Sequence, residues 1–255
     1  MTKLEQGIQY LKEYNQFELP SRIKGFDAFR ALMNVTMPDR LNEEFYSLQD
    51  EIIQEEYRHK VIVDIQDLKP ITGNIYLYLG DITCLKVDAI VNAGNSYLLG
   101  CFHPLHHCID NAIHSYAGLQ VRRDLMKIME QQGREEENGK AKITKGYNLP
   151  SSYIIHTVGP QIKKIVTKKD EEDLYHCYIS SLTLAETYHL SSIAFCSIST
   201  GLYGYPREEA SKVALQAVNE YLIHHPNTSI QKIVFDVFSK GDYEVYEREI
   251  SRIIK

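Results

Sequence analysis

Cysteine and histidine side chains are concentrated in a short stretch of this 255-residue chain, between residues 101 and 108. Thiolate sulfur and imidazole nitrogen are the ligands that zinc takes in tetrahedral geometry. Two cysteines and one histidine would leave a fourth position open, which is typical of a catalytic rather than a structural zinc. By spacing alone, either His106 or His107 could join Cys101 and Cys108, and His103 is also near.

A turn must bring these ligands together. Residues two apart, such as His106 and Cys108, do not face each other on a helix, and Pro104 favours a turn. A helix is predicted to begin near Ile109, and its N-terminal dipole would favour the thiolate of Cys108. The alternative is that Cys101 and Cys108 are small buried apolar residues and that the histidines lie on the surface.

Asp110 follows the second cysteine by two positions. A carboxylate beside a metal ligand can orient or deprotonate an attacking water, which is general base catalysis. The alternative is that Asp110 is an acid in the first turn of a helix, where the helix dipole favours it.

A second candidate site is the stretch 198–206, which follows an apolar run and precedes a predicted helix. Its glycines, Gly201 and Gly204, let the backbone approach a ligand and present several N–H groups, as a phosphate-binding loop does. It is not a Walker A loop, because Gly-Lys-Ser/Thr is absent. The alternative is an ordinary strand-to-helix turn.

The predicted secondary structure that positions these loops changes from helices alone to alternating strands and helices near residue 70. Residues 1–70 have helical spacing and are predicted to form an N-terminal helical extension, whereas strand and helix patterns alternate over 71–255. Such alternation predicts an α/β domain, a parallel or mixed sheet with helices on both faces and ligands at the carboxyl ends of its strands. The main predicted strands are 75–79, 153–158, 192–198 and 233–238, and the main predicted helices are 109–125, 171–190, 207–224 and 242–254.

The composition excludes several classes of protein. The net charge of −6 argues against nucleic-acid binding, which needs clustered Lys and Arg. No run approaches the ~20 apolar residues of a membrane span, and the start lacks a signal-peptide pattern, so we expect a cytoplasmic protein without a membrane partner. Five cysteines argue against a disulfide framework, and Cys84, Cys177 and Cys196 are predicted to be core residues.

Several motifs occur together and in order: Gly-Asp-Ile-Thr at 80–83, Asp-Ala-Ile-Val-Asn-Ala-Gly-Asn-Ser at 88–96, Ile-Asp-Asn-Ala-Ile-His at 109–114 and Ser-Thr-Gly-Leu-Tyr-Gly-Tyr-Pro at 199–206. In this order they closely resemble the MacroD-type branch of the macrodomains, over roughly residues 70 to 255. The resemblance implies a three-layer α/β/α macrodomain with a mixed sheet, which binds ADP-ribose.

One departure from the MacroD pattern indicates a particular subfamily of macrodomains. Where that branch has a run of glycines, this chain has the metal-ligand stretch, which looks like the zinc-dependent macrodomains of bacteria and fungi. Their ligand pattern selects Cys101, His106 and Cys108 as the Zn²⁺ site. The resemblance to this subfamily also implies the N-terminal helical extension and a link to a sirtuin-type ADP-ribosyltransferase. The target protein it implies is one that resembles the H protein, the lipoyl carrier of glycine cleavage.

The resemblance also implies the residues that bind ADP-ribose. Asp81 and Ile82 would contact adenine, with Phe238 facing the ring, and Asn95 would hold the distal ribose. The diphosphate would be wrapped by one loop, which consists of Ser199, Thr200, Gly201, Leu202 and Tyr203. The distal end of the ligand would lie beside the metal and would be lined by Ile109, Asp110 and Asn111. The alternatives are a turn residue for Asp81, a core residue for Phe238 and a strand end for Asn95. His114 and His156 are predicted to be packing residues.

Together these features predict a zinc-dependent protein-ADP-ribose hydrolase that removes mono-ADP-ribose from Asp or Glu side chains, with Asp110 and Asn95 as catalytic residues. The alternative is a non-catalytic reader of ADP-ribose with a structural zinc.

Overall fold

A computed structural model of the chain describes residues 1–253, so Ile254, the predicted end of the last helix, lies outside the described residues. The first part of the chain forms α1 (Lys3–Asn15), α2 (Gly25–Val35), α3 (Glu43–Tyr57) and the short strand β1 (Val63–Asp64). The remainder forms β2 (Ile75–Leu79), β3 (Leu85–Lys86), β4 (Ala89–Gly94), α4 (Ile109–Ala117), α5 (Leu119–Gln132), β5 (Ala141–Lys145), β6 (Tyr153–Val158), α6 (Lys168–Thr187), β7 (Ser192–Phe195), α7 (Arg207–His224), β8 (Lys232–Val237) and α8 (Lys240–Ile253).

The central sheet is six-stranded and mixed, in the order β2-β8-β7-β4-β6-β5. Every neighbouring pair is parallel except β5 and β6, which are antiparallel. Strands β4, β6, β7 and β8 are buried, largely apolar runs because helices cover the sheet. Helices α6, α7 and α8 pack side by side, while α4 and α5 pack on β4 and β5. The predicted three-layer α/β/α architecture is therefore confirmed.

The predicted helix over 109–125 is wrong in one respect, because the chain forms two helices there. Gly118 separates α4 from α5 and has a φ of +97°, a conformation that favours glycine. A Cβ at this position would lie 2.5 Å from Nε2 of Gln49 in α3. The break therefore lets the extension pack closely against the domain.

The extension is joined to the domain by more than apolar packing. Strand β1 pairs in parallel with β3, and α2 packs against α4. The guanidinium of Arg122 in α5 is fully buried and donates to the carbonyl oxygens of Met33 and Thr36 at the end of α2, and to that of Leu99 in the loop after β4. A boundary near residue 70 stays a prediction, since polar contacts cross it.

In the part of the chain that the structure describes, every helix is too short or too polar to traverse a lipid bilayer.

Candidate functional site

A cleft of about 530 Å³ lies at the carboxyl ends of β2, β4, β6, β7 and β8. This is the edge of the sheet where ligands bind in parallel α/β folds. Of the residues predicted to form the site, those that line the cleft are Asp81, Ile82, Asn95, Cys101, His106, Cys108, Ile109, Asp110, Ser199, Thr200, Gly201, Leu202, Tyr203 and Phe238. Asn111 is the exception, because it is buried behind the cleft.

The side chains of Cys101, His106 and Cys108 converge at one end of the cleft. One ligand atom of each lies within 4.8 Å of the other two, and Sγ of Cys101 is 3.5 Å from Nδ1 of His106. His107 lines the cleft but is exposed and is not one of the converging residues. Two sulfurs and one imidazole nitrogen at this spacing are a donor set that fits zinc.

Hydrogen bonds from α2, from α4 and within the loop hold the turn that carries these ligands. The backbone N–H of Leu105, at a φ of +56°, donates to Oδ1 of Asn34 in α2 at 3.0 Å. Nδ2 of Asn111 donates to the carbonyl oxygen of His103 at 3.0 Å, and the N–H of His106 donates to the same oxygen at 3.1 Å. Asn111 thus supports the loop instead of reaching the cleft.

Cys108 is the N-cap of α4, and its sulfur accepts a hydrogen bond from the N–H of Asn111 at 3.4 Å. The helix dipole was expected to favour the thiolate, but burial raises the pKa of Cys108 above its ordinary value, by more than the hydrogen bond from Asn111 lowers it. A cation at this position would have to displace the thiol proton, as metal binding to cysteine does.

Asp110 lies in the first turn of α4, buried, with its carboxylate at the wall of the cleft. Its Oδ1 accepts a hydrogen bond from Nδ2 of Asn92 at 2.8 Å and lies 3.4 Å from Nε2 of His114. Burial raises the pKa of Asp110 to about 6, opposed by the Asn92 hydrogen bond and the charge of Arg122. The carboxylate is therefore held in one orientation beside the converging ligands.

The histidine of β6 belongs to the core, as predicted. Nδ1 of His156 is 3.2 Å from Nδ2 of Asn92, and its Nε2 is 2.9 Å from Oγ1 of Thr144. Burial lowers the pKa of His156 to about 3, so the ring is neutral. His156 supports Asn92 and, through it, Asp110. His114 is likewise buried in α4.

The loop after β7 has the backbone of an anion-binding site. Ser199 has a φ of +64°, and the turn is closed by a hydrogen bond from the N–H of Gly204 to the oxygen of Gly201 at 3.0 Å. Within residues 1–253, the N–H groups of Gly201, Leu202 and Tyr203 donate no hydrogen bond. Successive unpaired N–H groups beside a cleft bind phosphate oxygens.

Asp81 and Phe238 lie at the end of the cleft that is opposite the converging cysteine and histidine side chains. Oδ1 of Asp81 caps the turn that follows, accepting from the N–H and hydroxyl of Thr83, and its Oδ2 accepts from Nζ of Lys60 at 2.8 Å. Burial raises the pKa of Asp81, but the bonds from Lys60 and Thr83 outweigh it, and the net pKa is lowered. Phe238, just after β8, is 85% exposed, so the core alternative is wrong for it.

Asn95 directly follows β4, and its amide spans the loop that begins there. Nδ2 donates to the carbonyl oxygen of Gly100 at 3.2 Å, and Oδ1 accepts from the N–H of Tyr97 at 3.0 Å. The side chain therefore shapes the loop that leads to Cys101 while also lining the cleft.

The sequence reasoning missed three charged residues that line the cleft: Arg30, Asp236 and Asp242, the last in the first turn of α8. Arg30 lies between Phe29 and Ala31 in an apolar helix, and Asp236 interrupts the apolar run of β8. A charge within an apolar pattern was the available signal for Arg30 and Asp236. Asp236 is buried, its Oδ1 has no partner among the described residues, and burial raises its pKa well above the ordinary value. Cys196, predicted as core, is buried and also borders the cleft.

The chain belongs to the macrodomain family. Residues 91–214 match the Macro domain model. A protein-ADP-ribose hydrolase of Staphylococcus aureus is 46% identical over 229 residues, covering 89% of this chain and 85% of the relative. A protein of the same name from Treponema medium is 46% identical over 226 residues, covering 87% of this chain and 86% of the relative.

Solved structures agree with this assignment. The Oceanobacillus iheyensis macrodomain with ADP is 38% identical, with a TM-score of 0.65, covering 73% of this chain and 95% of that one. The Trypanosoma brucei macrodomain in complex with ADP-ribose is 29% identical, with a TM-score of 0.68, covering 86% of this chain and 94% of that one.

Proposed function

We propose that this protein is a zinc-dependent hydrolase that removes mono-ADP-ribose from Asp or Glu side chains of a target protein. One observation carries the proposal: the ligand atoms of Cys101, His106 and Cys108 lie within 4.8 Å of one another at the wall of a cleft that also contains Asp110. The names of the similar Staphylococcus and Treponema proteins support hydrolysis of protein-linked ADP-ribose.

In this proposal the cleft holds ADP-ribose lengthwise. Adenine lies against Phe238, with Asp81 accepting from its amino group and Ile82 giving a backbone contact. The unpaired N–H groups that follow Ser199 and Thr200, those of Gly201, Leu202 and Tyr203, bind the diphosphate. The distal ribose then lies between Asn95 and the metal ligands, next to Ile109. The solved macrodomains with ADP and ADP-ribose support this use of the cleft.

The chemical step is hydrolysis of the ester that joins C1 of the distal ribose to a carboxyl group. Zinc held by three protein ligands would supply Lewis-acid polarisation at its fourth position. Asp110 orients the attacking water and takes its proton, with Asn92 fixing the direction of the carboxylate. Water is consumed, the ester bond breaks, and the products are free ADP-ribose and the target carboxylate.

The resemblance to the bacterial zinc-dependent subfamily extends the proposal to a biological role. The modification removed would be one made by a sirtuin-type ADP-ribosyltransferase, and a glycine cleavage H-like lipoyl carrier is the proposed target. A mass-spectrometric search for ADP-ribosylated carboxylates in cells lacking this protein would test that role.

The test of the activity combines metal analysis with release of ADP-ribose from a protein modified on a defined carboxylate. We expect one zinc per chain, release that stops with chelator and returns with added zinc, and loss of both zinc and release in Cys101→Ala. Cys177→Ser, which alters a buried cysteine that does not line the cleft, is the control and should retain both.

Other outcomes would contradict the proposal. Tight ADP-ribose binding without release would identify a reader. Release that persists in the zinc-free protein would reduce the metal to a structural role.

A further inference from the structure

The N-terminal extension places a cation at the cleft. Arg30 extends from α2, and its side chain is 19% exposed, so most of it is removed from water. The guanidinium carbon lies 5.5 Å from the ring centroid of Tyr116 in α4. The helix that carries Arg30 also carries Asn34, which holds the metal-ligand loop.

The hydrogen-bonding capacity of Arg30 is largely unused by the protein. A guanidinium has five N–H donors. One of them contacts Oδ1 of Asn111 at the long distance of 3.5 Å, and the nearest carboxylate, that of Asp27, is 3.7 Å away. Nε is buried without a partner among the described residues. A half-buried cation with unpaired donors is costly unless a ligand completes its contacts.

The position of Arg30 indicates what kind of ligand would do so. Its contact with Asn111 puts the guanidinium beside the first turn of α4, where the helix dipole is positive. Two positive potentials close together favour an anion. The loop with unpaired N–H groups lines the same cleft, so a doubly charged group between them would satisfy both sets of donors.

We propose that Arg30 binds the diphosphate of ADP-ribose opposite residues 199–203, so that the extension forms part of the ligand site. Arginine suits this role because its planar fork can donate two parallel hydrogen bonds to phosphate oxygens. The inference rests on ADP-ribose as the ligand of the proposed function, but not on hydrolysis or on zinc.

The experiment compares the binding of ADP-ribose, ADP, AMP and adenosine by calorimetry to the wild type, Arg30→Gln and Arg30→Lys. We expect Arg30→Gln to weaken the binding of ADP-ribose and ADP by about tenfold or more, because charge-assisted hydrogen bonds are lost. The affinity for adenosine should be almost unchanged. The affinity of Arg30→Lys for ADP-ribose should lie between those of the wild type and Arg30→Gln. Arg22→Gln, which removes an exposed cation of the same extension, should bind like the wild type.

Three results would overturn the inference. The first is unchanged ADP-ribose affinity in Arg30→Gln. The second is an equal loss for all four ligands, adenosine included, which would mean a structural role. The third is normal ADP-ribose affinity with slower release from modified protein, which would mean that Arg30 contacts the target protein. If the wild type binds ADP-ribose but does not release it from modified protein, only the proposed activity fails.

Discussion

Oδ1 of Asn34, in the N-terminal extension, accepts a hydrogen bond at 3.0 Å from the backbone N–H of Leu105, in the middle of the metal-ligand loop. Nδ2 of the same side chain donates to Oγ of Ser115 in α4 at 3.1 Å, and Asn34 is 1% exposed. One buried amide therefore fixes the extension, the loop and α4 relative to each other.

Replacing Asn34 with Ala should loosen the turn that carries His106. Supporting residues around a metal site typically change affinity by 10- to 100-fold, so we expect zinc affinity to fall by about tenfold. A chelator competition titration would measure it. Asn15→Ala removes another amide contact of the extension, to Thr36, away from the loop, and should keep the wild-type affinity. Equal zinc affinity in Asn34→Ala and the wild type would show that the loop is held without this bond.

Replacing Asp110 with Ala should separate binding from turnover. ADP-ribose affinity should stay within a few-fold of the wild type, because the diphosphate and adenine contacts remain. Release of ADP-ribose should fall by about 100-fold or more, the usual contribution of a positioned general base. Calorimetry and a single-turnover release assay measure the two quantities. If release proceeds at the wild-type rate, Asp110 is not the base.

Replacing Arg122 with Met should destabilise the whole chain. The variant would leave the buried carbonyl oxygens of Met33, Thr36 and Leu99 without these hydrogen-bond donors. Each buried unsatisfied group costs about 1–3 kcal/mol. We expect the free energy of unfolding to fall by about 3 kcal/mol or more in urea. The neighbour Arg123, whose partner Glu43 is exposed, is the matched control, and Arg123→Met should cost about 1 kcal/mol or less. Equal losses for the two variants would contradict this role.

Replacing Asp236 with Asn should raise stability more at pH 7 than at pH 4. Burial raises the pKa of Asp236 in the folded protein, whereas the unfolded carboxyl titrates near ~3.9. Its contribution is therefore most favourable below pH ~4 and is lost as the pH rises toward the folded pKa. The carboxylate of Asp81, the phenol of Tyr78 and the thiol of Cys196 face the same group.

The measurement is urea unfolding of the wild type and Asp236→Asn at both pH values. The difference between the two proteins should change by at least about 1.4 kcal/mol, the equivalent of one pKa unit. A difference that does not vary with pH would mean that the pKa of Asp236 is not raised in the folded protein.

Local pattern was sufficient to predict most strands of the central sheet, but it missed the edge strand β5 and the short strands β1 and β3. The strand pattern over 153–158 gave β6 without error, and that over 233–238 gave β8 within one residue. The predicted strand 192–198 ends earlier, at Phe195, because the chain turns there into the cleft. Spacing alone left both His106 and His107 open, and the resemblance selected His106. The folded turn brings His106, and not His107, to the two cysteines.

Features that depend on distant parts of the chain could not be predicted in this way. The break at Gly118 is tied to the close approach of Gln49, from a helix that precedes it by many residues. The raised pKa of Cys108 depends on how deeply the loop is buried, which no local pattern records. Arg30 reaches the cleft only because α2 packs on α4.

The polar contacts across residue 70 bear on how this protein could be engineered. A fusion or graft that used residues 71–255 alone would retain every recognisable motif. It would also leave Arg122 without its partners in α2 and Leu105 without Asn34. A transplantable unit therefore has to include α2, even though this helix carries no motif of its own.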